Sequence, residues 1–411
     1  MQRSEKLPKY RWIILSATWM ACLMNFLSRL SIGPLAPFLK DSLNISNTQV
    51  GLLVTAAGIS YIPTLIVSGW LVDRFGVRRV LTAGIFIGGL GILSIYFASS
   101  YQAIFIIMAL TGIGFGCIMP SAIKAVVLWF PRKERATALG LNASAVNVAG
   151  IIGASLLPTV AIALGWRYGF LFIGACVIVI SLYCGLVYRD PHHEDLPVQR
   201  DIPEDSSPKI STTRLAIELF KSRDIWVLSL GGFFVCMVEF AALTNLVVYF
   251  NEELLIGVVA AGGLLAITEA AGAFGKPLSG LVSDRLLGGR RKTVFLLMAG
   301  TAGIVCLVFG ISGNNLGWLL YPILLIFGMA AIGWGGLYVA MASELAGREV
   351  AGKALGIAGA ILVLGSMAGP PFFGYIVDST GSFQTAWLVM ALCGAISVTF
   401  LSLVREYKKR L

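Results

Sequence analysis

The sequence predicts an all-α membrane protein of twelve transmembrane helices in two six-helix, pseudo-symmetric bundles. Three observations predict it: twelve long apolar runs, a one-sided distribution of basic residues, and a charged loop motif that occurs twice. The 411-residue chain is 57% hydrophobic and 13% charged, with a mean hydropathy of +0.85. Globular domains average about 25% charged residues, so the deficit fits a surface that faces lipid.

Runs long enough to cross about 30 Å of hydrocarbon fall near 12–35, 50–72, 79–99, 102–129, 138–163 and 168–188, and again near 225–250, 255–283, 293–312, 315–343, 352–377 and 383–404. The first follows a basic N-terminus (Arg3, Lys6, Lys9, Arg11). It is too long for a signal-peptide core and reads as an uncleaved first span that also targets the chain. Between the sixth and seventh runs lies one long polar segment, with His192, His193 and a short amphipathic stretch, Thr212–Lys221. The expected organisation is an N-terminal bundle over 1–188, a cytoplasmic linker over 189–224 and a C-terminal bundle over 225–411.

Sidedness follows from the basic residues. Of 31 Lys and Arg, 26 fall in the tails, the linker and one alternating set of loops; the opposite loops hold only Lys40 and Arg167. The positive-inside rule then places both termini in the cytoplasm of a multi-pass inner-membrane protein. The net charge of +10 is spread beside the spans, which implies lipid contact and no nucleic acid. The seven Cys all lie in apolar stretches, and no two form a CxxC pair. Neither a disulfide framework nor a metal site is expected. No Walker loop or catalytic-triad spacing occurs, so no enzyme, cofactor or metal is expected, and the chain reads as a monomer.

The repeat is in the loops. Gly69-Trp-Leu-Val-Asp73-Arg74-Phe-Gly76-Val-Arg78-Arg79 leaves the second run, and Gly280-Leu-Val-Ser-Asp284-Arg285-Leu-Leu-Gly288-Gly-Arg290-Arg291-Lys292 leaves the eighth. A weaker echo, Ala138-Leu-Gly140 and Ala354-Leu-Gly356, opens the fifth and eleventh. Two halves of equal topology follow, and proteins built this way place substrate near the midplane, between the halves. With twelve spans and a central linker, the doubled loop resembles the signature of the major facilitator superfamily over the whole chain. The resemblance implies a cytoplasmic conformational latch at Asp73, Arg74, Asp284 and Arg285, each Asp meeting the cytoplasmic end of a neighbouring span. Arg78, Arg79, Arg290, Arg291 and Lys292 read as positive-inside anchors.

Five charges lie inside spans: Arg29, Lys124, Lys276, Glu239 and Glu269. A charge near the bilayer centre costs roughly 2.5–3.5 kcal/mol on insertion scales, so such residues mark a pathway. Arg29 keeps its charge and shares a helical face with Asn25. No Asp or Glu lies within the first six spans. The alternatives for Arg29 are a substrate anion or snorkelling to the external headgroups. The stretch Asn25-Phe-Leu-Ser28-Arg29-Leu-Ser-Ile-Gly-Pro34-Leu-Ala-Pro37 is similar to the first span of the anion:cation symporters, which carry carboxylates with protons. That group has an acid where this chain has Ser28. Lys124 matches a position of that group that is normally basic, and the group's proton-coupling Glu of the fourth span has no counterpart here.

A small organic anion, a carboxylate, is therefore the expected substrate, bound by Arg29, Lys124, Asn25, Tyr61, Asn147, Trp334 and Tyr338, with Asn142 and Asn245 as further cavity liners; packing is the alternative for each of these aromatic and amide side chains. Protons are the expected coupling ion, carried by Glu269 and Glu239 beside Lys276. Competing readings are a multidrug or metabolite efflux antiporter and a transporter-like ligand sensor.

Overall fold

The structure, a computed structural model, describes residues 7–131, 134–190, 222–313, 316–346 and 351–405. Most of the linker, with His192, His193 and Thr212–Lys221, lies outside the described residues. Among those described, twelve helices are long and apolar enough to cross a membrane. They are α1 (Tyr10–Leu43), α2 (Asn47–Phe75), α3 (Val77–Phe97), α4 (Tyr101–Trp129), α5 (Thr137–Leu164) and α6 (Trp166–Val187), then α7 (Arg223–Glu252), α8 (Val258–Leu286), α9 (Arg291–Ser312), α10 (Gly317–Ala346), α11 (Ala358–Thr380) and α12 (Phe383–Leu403). Helices are forced here because lipid offers no partner to an exposed N–H or C=O.

Among the described residues, three spans are broken part-way along their length. In α1 the helix Leu7–Leu30 stops and Ile32–Leu43 restarts. Pro34 has no N–H to give the carbonyl of Leu30. In α4 the pieces are Tyr101–Phe115 and Ile118–Trp129, where Gly114, Gly116 and Pro120 crowd the junction. In α10 they are Leu320–Ile332 and Gly335–Ala346, separated at Gly333–Trp334. The breaks in α4 and α10 occupy equivalent places in the two halves of the sequence.

By its internal contacts the chain divides into two units, Met1–Phe38 with Ala56–Ser207, and Leu39–Thr55 with Pro208–Leu411. In the first, Gly112 of α4 lies so close to α2 that a Cβ would sit 2.2 Å from the Ala57 carbonyl oxygen. In the second, a Cβ at Gly328 of α10 would sit 2.1 Å from the Thr268 carbonyl oxygen on α8. The same backbone approach occurs in both, as expected where small residues let membrane helices meet.

The basic residues that open the third span of each half hold a helix end rather than merely marking sidedness. Arg78 Nε donates to the Gly185 carbonyl at the end of α6 (2.8 Å), and Lys292 Nζ donates to the Ser402 and Val404 carbonyls at the end of α12 (2.7 Å each). Cations at a helix C-terminus satisfy carbonyls that have no intrahelical partner. Arg291 pairs with Glu344 at 3.1 Å.

The segment Leu39–Thr55 is anchored within the second unit. Ser46 and Gln49 form a reciprocal capping box at the start of α2 (2.9 and 3.3 Å),. The Asp378 carboxylate, near the end of α11, accepts from Asn47 N (3.0 Å), Asn47 Nδ2 (2.9 Å), Thr48 N (2.8 Å) and Thr48 Oγ1 (2.5 Å). Lys40 Nζ pairs with Glu252 at 2.5 Å. Behind this end, Trp387 packs against Phe373, Phe309 and Tyr249 with ring centroids at 4.9, 5.1 and 5.5 Å.

Asp378→Ala removes one acceptor from four donors, two of them backbone N–H groups in the first turn of α2. A loss of about 1 kcal/mol is expected, as for other helix caps. It should appear as a lowered melting temperature of the purified protein in detergent. An unchanged melting temperature would show that the cap carries no stability.

Candidate functional site

The first unit presents a cationic group with no carboxylate beside it. Arg29 lies just before the break in α1, and its guanidinium sits 4.7 Å over the ring of Tyr61 on α2. Among the described residues, no carboxylate lies within salt-bridge distance of Arg29. The ring covers one face of the guanidinium, while the N–H donors lie in its plane and stay available to an anion. Ser28, where the similar symporters carry an acid, spends its hydroxyl on the Met24 carbonyl (2.8 Å).

One turn before Arg29, Asn25 is fully buried, and neither amide atom has a hydrogen-bond partner. Leaving a buried polar group unpaired costs about 1–3 kcal/mol, so such an amide calls for a ligand or another function. On α5, Asn147 is buried as well, and Asn142 contacts Cys22 Sγ through Nδ2 (3.5 Å) while its Oδ1 is unpartnered.

Lys124 is placed differently from the sequence expectation. Its Nζ lies 2.6 Å from Asp73 Oδ1 and 3.3 Å from the Val72 carbonyl. The acid of the loop motif, just outside the apolar run, therefore matches this charge. The physical reason is depth: Asp73 ends α2, and Lys124 is five residues before the end of α4, so a long side chain reaches across. Asp73 thus contacts α4 near its end through Lys124. Arg74 lies over the rings of Trp70 (5.3 Å) and Phe75 (5.7 Å). Asp284 and Arg285, in a π-turn that closes α8, are exposed.

The second unit gathers the two acids that lie inside spans. Glu269 on α8 is 2% exposed. Glu239 on α7 accepts from Trp334 Nε1 at 3.1 Å, and Trp334 occupies the break in α10. Glu239, Glu269 and Lys276 lie near enough to act on one another electrostatically. Trp334 is stacked on Phe295 (5.5 Å, 7°), and its single indole N–H is shared between Glu239 and the Ala331 carbonyl, the latter at 2.8 Å. Tyr338 is 1% exposed, and its hydroxyl donates to the Ala358 carbonyl (3.1 Å). Asn245 donates to the Ala241 carbonyl on its own helix (2.9 Å). These two polar groups are occupied inside the bundle, which matches packing better than ligand contact. No cluster of three or more metal-ligating residues occurs among the described residues.

The twelve spans, the broken helices and the paired units carry the fold. The sequence pattern of the Major Facilitator Superfamily matches residues 18–362, most of the chain. The chain belongs to the Major Facilitator Superfamily. It is a multi-pass membrane transporter and not an enzyme. It is similar to the probable sulfoacetate transporter SauU of Cupriavidus necator, with 24% identity over 96% of this chain and 94% of that one. The probable galactarate/D-glucarate transporter GudP of Bacillus subtilis is 25% identical, over 98% and 94%. The hexuronate transporter of the same organism is 24% identical, over 97% and 93%. Among solved structures, a bacterial homologue of the human lysosomal transporter Spinster, inward-facing and unoccupied, shares the fold. It has a TM-score of 0.78, 20% identity and coverage of 96% and 95%.

Asp73→Asn removes the carboxylate from Lys124 at the end of α4. Transport should fall while the protein still inserts, and the labelling of single cysteines from the two sides of the membrane should change. Unchanged labelling on both sides would overturn the latch role of Asp73.

Proposed function

We propose that this transporter moves a small organic anion, a carboxylate, across the cytoplasmic membrane by alternating access, coupled to protons. Arg29 carries the proposal: it is an obligate cation inside a span, braced by an aromatic ring, with no carboxylate of the described residues beside it. A carboxylate can take two in-plane N–H donors of that guanidinium. Asn25, one turn away on the same face, offers both a donor and an acceptor to the rest of the ligand. The relatives named above for sulfoacetate, galactarate/D-glucarate and hexuronate support an acidic, oxygen-rich substrate. The proposed organisation is a monomer with bundles over 1–188 and 225–411, a linker over 189–224, and both termini in the cytoplasm, a sidedness that the basic-residue distribution supports.

Proton coupling is assigned to Glu269, with Glu239 as its neighbour. A carboxylate inside a span is costly while charged, and Lys276, near enough to act electrostatically on both acids, offsets part of that cost. Both protonation states are therefore within reach, which a proton carrier needs.

Arg29→Ala should weaken substrate binding roughly 100-fold or more, since each hydrogen bond to a charged group is worth about 1.5–3 kcal/mol. Arg29→Lys should weaken it strongly, because a planar fork becomes a point charge. Lys124→Gln should cost less than Arg29→Ala, given the ion pair with Asp73. Titration calorimetry with hexuronate or glucarate tests all three, and wild-type affinity in Arg29→Ala would exclude the assignment.

Glu269→Gln fixes a neutral side chain. Proteoliposomes carrying it should keep substrate exchange at equal pH and lose accumulation driven by a pH gradient. Accumulation that persists would move coupling to Glu239 or favour a uniporter.

A further inference from the structure

Where α3 begins and α6 ends, the first unit has a groove of about 540 Å³. Arg78 and Arg79 stand at one end of it. Phe86 and Leu182, both exposed, form its walls, and Ala83 and Gly185 leave its floor shallow. Arg78 and Phe86 are eight residues apart on one helix, about 12 Å at 1.5 Å per residue. The groove therefore runs from the basic loop along about two turns of the apolar span α3,.

Its two ends differ chemically. The Arg78 side chain is fixed at the end by the bond from Nε to the Gly185 carbonyl (2.8 Å). That bond uses one of five donors. Among the described residues, Asp190 lies at this end, and its carboxylate accepts from the backbone of Val77 (3.0 Å) and Arg78 (3.4 Å) at the start of α3. It already serves the helix terminus, and the two guanidinium groups outnumber it. Deeper in, the Ser181 hydroxyl donates to the Thr82 carbonyl (2.9 Å), so what the groove offers there is apolar surface.

We propose that this groove binds one anionic phospholipid of the cytoplasmic leaflet, with its phosphate on Arg78 and Arg79 and an acyl chain along Phe86 and Leu182. A cationic end at headgroup level and an apolar trough within the hydrocarbon together match that molecule. Basic pockets between spans on the cytoplasmic side favour such headgroups. A soluble anion would leave the trough empty, and a zwitterionic lipid would gain little from two cations. The leaflet rests on the sidedness proposed above, whereas lipid binding in detergent depends neither on that sidedness nor on transport.

The test is native mass spectrometry of the delipidated protein titrated with phosphatidylglycerol and, separately, phosphatidylethanolamine. Phosphatidylglycerol should bind the wild type more tightly. Arg78→Gln/Arg79→Gln should weaken it roughly 30-fold, from about 1 kcal/mol for each basic residue near the surface. Ala83→Phe keeps both charges and fills an exposed part of the floor, and it should weaken binding as well. The control Arg290→Gln/Arg291→Gln removes two arginines from the second unit and should leave binding unchanged. Equal affinity for the two lipids, or an equal loss in the control, would reduce the groove to nonspecific lipid contact and overturn the proposal. Undiminished binding in Ala83→Phe would do the same.

Discussion

The cost of an uncompensated charge in hydrocarbon organises this molecule. A backbone in lipid must satisfy itself, which makes every span a helix. A side-chain charge in lipid must find a counter-charge, water or a ligand. Lys124 finds Asp73, and Lys40, near the end of α1, finds Glu252. Glu239 finds the Trp334 indole and shares the field of Lys276 with Glu269. Arg29 finds an aromatic face, which lowers the cost of the cation without supplying a negative charge. The contrast between Arg29 and the other four charges inside spans makes an anionic substrate the economical completion of the site.

The helix breaks place these groups. Arg29 precedes the break in α1, and Trp334 occupies the break in α10. Broken helices inside a membrane are tolerated where they line a site, because exposed N–H and C=O groups then have polar neighbours. Close backbone approaches at Gly112 and Gly328 brace α4 and α10 against their neighbours in the same way in each unit. A rigid frame around a broken helix is what holds a charged side chain in one place.

Much of this was legible in the chain. Twelve spans are written in runs of apolar residues, and the doubled Asp-Arg loop showed the repeat. The face shared by Glu269 and Lys276 followed from helical spacing, since seven residues make nearly two turns. The partner of Lys124 did not, because Asp73 is 51 residues away and only the depth of both at their helix ends brings them together. A comparison of depths, rather than of sequence spacing, would have found it. Arg78 and Lys292 read as anchors, yet they hold the carbonyls at the ends of α6 and α12. Main-chain acceptors leave no mark in a sequence. Tyr338 looked like a cavity liner because aromatic residues with a polar tip suit both roles, and only its bond to Ala358 distinguishes them.

The central claim is that Arg29 recognises the negative charge of the substrate. The most direct test is a two-by-two comparison of binding: a hexuronate and its uncharged uronamide, each against the wild type and Arg29→Gln. The predicted result is a strong preference for the acid in the wild type that collapses in Arg29→Gln, as the charge and its partner are removed in turn. An undiminished preference for the acid in Arg29→Gln would contradict the claim and place anion recognition elsewhere in the protein.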